Sequence, residues 1–105
     1  LNMATTSDTS NYTYSLTATG NYNNITSTMN SKYITDAFTI TGSHNNVTTT
    51  QLGFNGSATT AGHYINTSII GNSNTVSITQ DGTTMANRVT LNVTGSSTST
   101  TIVQH

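Results

Sequence analysis

From Gly71 to Gly95 the chain reads GNSNTVSITQDGTTMANRVTLNVTG, one copy of a unit that recurs through the sequence. A unit this short buries little by itself and becomes stable only by stacking on its copies, so the repeat constrains the fold more than any other feature. After the glycine, Val76, Ile78 and Gln80 alternate with Thr75, Ser77 and Thr79, the period of two that marks a strand. Asp81-Gly82 is a turn dipeptide. Beyond a short polar loop, Val89, Leu91 and Val93 alternate with Thr90, Asn92 and Thr94 until Gly95 restarts the cycle.

Aligning the other glycines on Gly71 exposes the same layout three more times: Gly20 with Asn23, Ile25 and Met29; Gly42 with Asn45, Val47 and Gln51; Gly95 with Thr98, Ile102 and Gln104. Asn74 and Gln80 hold the matching places in the Gly71 copy. The stretch entering each glycine is equally regular, with Tyr14, Leu16 and Ala18 before Gly20, Phe38 and Ile40 before Gly42, and Ile65, Thr67 and Ile69 before Gly71. We call the stretch before each glycine the approach arm and the stretch after it the departure arm.

Residues 1–11 are a polar lead-in, either an added edge strand or a tail, and the repeats occupy 12–105. Residues 12–19 form an approach arm with no departure arm before it, full units follow at 20–41, 42–70 and 71–94, and 95–105 is a departure arm alone. The variation in unit length falls between the arms, where the middle unit inserts Gly53 to Gly62. The expectation is an all-β chain: a β-solenoid of about four strand-turn-strand rungs with half-rungs at both ends.

In such a stack each strand bonds its equivalent one rung away at about 4.8 Å, so equivalent side chains form columns. The predicted inward columns are Ile25, Val47 and Val76; Ile78 and Ile102; Met29, Gln51, Gln80 and Gln104; Leu16, Phe38, Thr67 and Leu91; and Ala18, Ile40, Ile69 and Val93. Amides at Asn23, Asn45 and Asn74 and at the Gln positions carry donors and acceptors together, so stacked amides can bond along the axis. Glycines 20, 42, 71 and 95 permit positive φ at the corners. Asp36 interrupts the pattern at the place held by Tyr14, Ile65 and Val89, which implies either a corner open to water or a slip in register.

Composition narrows the function. Of 105 residues, 26 are Thr, 14 Asn and 13 Ser, while only 5% are charged and Pro and Cys are absent. Disordered chains of low hydrophobicity usually carry Pro, Lys and Glu; here β-branched residues dominate instead. Without Cys there are no disulfides and no thiolate chemistry. Lys32 and Arg88 are the whole cationic complement, too little to neutralise a row of phosphates or hold an anionic membrane surface, and no apolar run reaches the length of a spanning helix. The reading is of no nucleic-acid partner, no membrane insertion and no cofactor.

The departure arm NTVSITQDG at 74–82, echoed by NNVTTTQLG at 45–53, resembles the curlin repeat of bacterial curli fibres, where Ser or Asn precedes alternating residues and then Gln-x-Gly. The likeness covers about four units. In that family a second Gln closes the unit, whereas here Ile40, Ile69 or Val93 stands at the closing position, implying a more apolar core. The resemblance implies an extracellular, self-assembling fibre subunit. A looser likeness to the Thr- and Asn-rich repeats of tailed-phage fibres implies a virion-surface or adhesin module.

Catalytic and metal signals are weak. His44, His63 and His105 lack a supporting ligand set, and the three acids Asp8, Asp36 and Asp81 show no pairing that would place two carboxylates across a cleft, so neither a metal site nor an enzyme is expected. Tyr12, Tyr14, Tyr22, Tyr33 and Tyr64, with Phe54 in the longest loop, can cover a thin core or line a face for surface glycans. Outward threonines such as Thr48, Thr50, Thr75 and Thr79 raise a third possibility, an ice-binding face. With neither charge nor Pro to blunt its edges, a stack whose last arm completes the first half-rung of the next copy would grow into a filament, its function carried by the Asn and Gln columns, the terminal arms and the corner glycines.

Overall fold

The computed structural model describes residues 2–5, 13–31, 35–54, 64–81 and 88–104. The described residues form nine strands: β1 (Asn2–Thr5), β2 (Thr13–Thr19), β3 (Asn24–Ser31), β4 (Thr35–Thr41), β5 (Asn46–Phe54), β6 (Tyr64–Ile70), β7 (Thr75–Asp81), β8 (Arg88–Thr94) and β9 (Ser99–Gln104). No helix occurs among the described residues. The chain is all-β.

Successive strands alternate between two sheets, β1-β3-β5-β7-β9 and β2-β4-β6-β8, and every pairing in both is parallel. Parallel neighbours require a crossover, and each strand of one sheet supplies it for two strands of the other. Departure arms therefore pair only with departure arms, and approach arms only with approach arms. The Thr-rich alternation supplies both the β-branched propensity and the inside-outside pattern: β6 and β7 each bury every second side chain.

Register follows the glycines. Ile25, Val47, Val76 and Thr100 are successive Cα partners, as are Leu16, Phe38, Thr67 and Leu91, and Ala18, Ile40, Ile69 and Val93. The core between the sheets contains Ile25, Phe38, Ile40, Val47, Ile65, Ile69, Val76, Ile78, Val89 and Val93. Leu16, Leu91 and Ile102 pack against it only half-buried, because β2, β8 and β9 are outer strands covered by a neighbour on one side alone. Burying one such branched side chain contributes about 1.5–3 kcal/mol.

The structure decides between alternatives at two places and adds detail at a third. The first approach arm does not lack a departure strand: β1 lies beside β3, with Asn2, Met3, Ala4 and Thr5 opposite Thr26, Ser27, Thr28 and Met29. The lead-in thus contributes an added edge strand, and the sheet it joins has five strands against four. Secondly, Asp36 causes no slip, since Tyr14, Asp36, Ile65 and Val89 stay in one row. Thirdly, the first two residues of the middle insertion, Gly53 and Phe54, belong to a strand. β5 runs to Phe54, and because Asn30 pairs with Leu52 but Ser31 with Phe54, Gly53 is the extra residue of a bulge.

Candidate self-assembly surface

The polar residues singled out by the repeat meet in columns that run across the strands. At the corners, Asn45 and Asn74 are buried and Asn23 half-buried. Each bonds upward twice. The amide Nδ2 donates to the carbonyl of the next glycine, Asn23 to Gly42 at 2.8 Å, Asn45 to Gly71 at 3.0 Å and Asn74 to Gly95 at 2.9 Å. The Oδ1 accepts the main-chain N–H one rung on, with Asn45, Asn74 and Thr98 donating to Asn23, Asn45 and Asn74, all at 3.0 Å. Asparagine suits this place because one short side chain offers a donor and an acceptor a rung apart. At Thr98 the column changes chemistry, the hydroxyl donating back to Asn74 Oδ1 at 2.6 Å.

The glycines are fixed by the same closeness. Gly20, Gly42, Gly71 and Gly95 have φ of 109, 127, 133 and 137°. A Cβ on Gly20, Gly42 or Gly71 would run into the carbonyl of Gly42, Gly71 or Gly95 respectively, whereas one on Gly95 would meet only Thr98 Cγ2 at 3.9 Å. Two residues after each glycine a second left-handed position recurs at Tyr22, His44, Ser73 and Ser97, with φ of 58 to 61°. Residue type does not betray this position, since none of the four is the Gly or Asn that left-handed backbone favours.

At the far end of the departure strands the glutamines form a second ladder. Gln51 and Gln80 are buried; Gln51 Nε2 donates to Gln80 Oε1 at 3.1 Å, and Gln80 Nε2 to Gln104 Oε1 at 3.0 Å. The same amides reach the other sheet, Gln80 Nε2 donating to the Tyr64 carbonyl at 3.3 Å and Gln104 Nε2 to that of Arg88 at 3.4 Å. The Cα partner of Gln51 is Met29, a residue type with no side-chain N–H donor, and Gln51 Oε1 is buried without a hydrogen bond. In the facing sheet Thr67, between Phe38 and Leu91 in register, leaves its Oγ1 buried and unbonded as well. In the middle of the departure sheet Thr49 Oγ1 donates to Ser27 Oγ at 3.0 Å.

Sequence reading overlooked an outer ladder, Asn24 Nδ2 donating to Asn46 Oδ1 at 3.0 Å on the solvent side. The doubled Asn at 23–24 and 45–46 was its signal. Of the tyrosines, Tyr22 and Tyr64 have described side chains, and each has its own partners. Tyr22, 82% exposed, stacks on His44 with centroids 5.1 Å apart, while Tyr64 begins β6, lies 4.5 Å under the Arg88 guanidinium and accepts a bond from Asn66 at 3.0 Å. Phe54 closes β5 and Tyr14 lies in β2. Tyr12, Tyr33, Lys32, Asp8, His63 and His105, with the inserted residues 55–62 and Gly82, lie outside the described residues. Asp81 is the last residue of β7. Among the described residues no three His, Cys, Asp or Glu come together.

Comparison of the chain with protein-family models, curated proteins and solved structures finds no match.

Proposed function

We propose that the chain is a non-enzymatic structural subunit, a β-solenoid that stacks head to tail on copies of itself into an extracellular fibre of curli-like construction. The observation that carries this reading is the axial run of side-chain amide hydrogen bonds, Asn23 to Asn45 to Asn74 and Gln51 to Gln80 to Gln104, along sheets whose pairings are all parallel and keep one register apart from the bulge at Gly53. Among the described residues the Asn column ends at Thr98, whose hydroxyl can still accept a further N–H. The outer strand β9 ends in neither Pro nor a charged side chain, and natural sheets usually blunt such an edge. A surface that repeats its own pattern at both ends makes a heterologous contact, which extends rather than closes.

Electron cryomicroscopy of the purified chain at micromolar concentration tests the proposal. Unbranched filaments with an axial repeat near 4.8 Å are expected, the spacing of stacked strands. Discrete particles at every concentration would refute it. A second reading, a fibre, capsid-surface or adhesin module that grips surface glycans, draws support from the exposed Tyr22 ring on His44, since such a ring can lie against a sugar face. A closed oligomer that binds a glycan, with binding lost in Tyr22→Ala, would favour it.

A further inference from the structure

The two outer strands of the larger sheet, β1 and β9, belong to the same layer, and this parity decides how copies can join. If β9 of one copy simply met β1 of the next, the five-stranded sheets would continue but the four-stranded ones would not. The β8 edge would stand two strand spacings, about 10 Å, from the next β2, leaving both rows of backbone groups unpaired there. Both sheets become continuous only if one of the two strands at the junction is removed.

We propose that copies join by strand exchange, β9 of one copy taking the place of β1 against β3 of the next. This rests on the fibre reading above. β1 is the shortest strand, four residues paired with β3 over four positions, whereas β9 pairs with β7 over six. Carried onto β3 in the register it keeps with β7, β9 sets Ser99, Thr100, Thr101, Ile102, Val103 and Gln104 opposite Asn24, Ile25, Thr26, Ser27, Thr28 and Met29. It therefore fills the four places that β1 holds and two more. β8 then reaches β2 one spacing away.

The corner chemistry independently fits the same junction. Each Asn Oδ1 in the column accepts the next main-chain N–H, and Thr98 presents a hydroxyl there that donates to Asn74 and keeps lone pairs free, ready for the N–H of Asn23 in the next copy. Above Gly95 the space that a Gly fills over Gly20, Gly42 and Gly71 is open, and Gly20 of the next copy would occupy it. A main-chain strand added at a sheet edge in this way draws affinity from the hydrogen-bond ladder and specificity from alternate side chains.

Cross-linking distinguishes the outcomes, and the absence of Cys from the chain leaves a clean background. Adjacent strands hold paired Cα atoms at a spacing a disulfide spans. Copies carrying Ile102→Cys are mixed with copies carrying either Ser27→Cys or Met3→Cys, assembled and oxidised. Exchange predicts covalent dimers with Ser27→Cys and at most a tenth as many with Met3→Cys. Filaments that cross-link through Met3→Cys instead overturn exchange and leave the fibre reading standing; no filaments from the wild-type chain overturn both. Two further variants guard against misfolding. Deleting residues 1–5 should lower the concentration needed for assembly severalfold, and an unchanged or raised threshold counts against exchange. Gly95→Ala should give folded monomers that do not polymerise, whereas simple abutment of β9 on β1 would leave polymerisation intact.

Discussion

Replacing Asn45 by Ala tests whether the corner amides hold the stack together. Asn45 is 1% exposed, and its side chain donates to the Gly71 carbonyl at 3.0 Å and accepts the Asn74 N–H at 3.0 Å. Alanine removes these two bonds, and the amide's further bond to Asn23 Oδ1, and leaves a part-buried carbonyl and a buried N–H with nothing to bond. Each orphaned group costs about 1–3 kcal/mol, so a loss of roughly 3–5 kcal/mol is expected, a third or more of the stability of an ordinary domain. Thr98→Ala provides the comparison at the end of the column, where a half-buried hydroxyl makes one bond; its loss should cost about 1 kcal/mol. Urea unfolding followed by circular dichroism, at concentrations below assembly, measures both. Asn45→Asp separates the two halves of the bond. A carboxylate still accepts from Asn74 but cannot donate to Gly71, and burial raises its folded pKa above the unfolded value of about 3.9. This variant should be most stable below that pH and lose about 1.4 kcal/mol per unit as pH rises toward the folded pKa. A midpoint for Asn45→Ala within 1 kcal/mol of wild type, or an Asn45→Asp variant whose stability ignores pH, would refute the account.

Gly71→Ala and Gly95→Ala share the strain of a positive φ, about 1–2 kcal/mol, but only the first meets a carbonyl of the next rung; the monomer should lose at least about 2 kcal/mol more from Gly71→Ala, read as the difference in urea midpoints. Met29→Gln places a donor at the Cα partner of Gln51, whose Oε1 lacks one, and should raise stability by about 1 kcal/mol, or roughly 4–8 °C in Tm by calorimetry. Thr67→Val removes the unbonded buried hydroxyl between Phe38 and Leu91 and should stabilise by about 1 kcal/mol in the same assay; a loss of stability would mean that the hydroxyl is bonded after all.

Much of this architecture is written in the sequence because two signals agree. Period-two alternation tells which side chains share a face, and the Gly-x-x-Asn corners at 20–23, 42–45 and 71–74 fix the phase between one unit and the next. With phase known, Cα partners such as Phe38 and Thr67 or Gln51 and Gln80 follow by counting. β1 was obscure because Asn2–Thr5 has no glycine to anchor it and is too short for a period to register. The left-handed corner residues were equally hidden: Tyr22, His44, Ser73 and Ser97 share no chemistry, and their φ is imposed by the stacked backbone, whose N–H groups at His44, Ser73 and Ser97 bond to carbonyls one rung away. Nor could spacing alone show that every Asn amide of the column donates to a glycine carbonyl, with only Asn45 also donating to a neighbouring amide, that of Asn23. That depends on the short reach of Asn and the close approach the glycines allow, whereas the longer Gln side chains do meet amide to amide.

Because partners in either sheet lie one unit apart in the chain, never adjacent in sequence, no pair of rungs forms without first closing a loop of that length, and every later rung closes a similar one. The entropy of each closure grows only slowly with length, so the first pairing is the slow event and subsequent ones proceed on a surface already in place. Folding then resembles crystal growth more than collapse: a hesitant seed, rapid lengthening in either direction, and melting that begins at β1 and β9 while β5 is the last to let go of its amide protons.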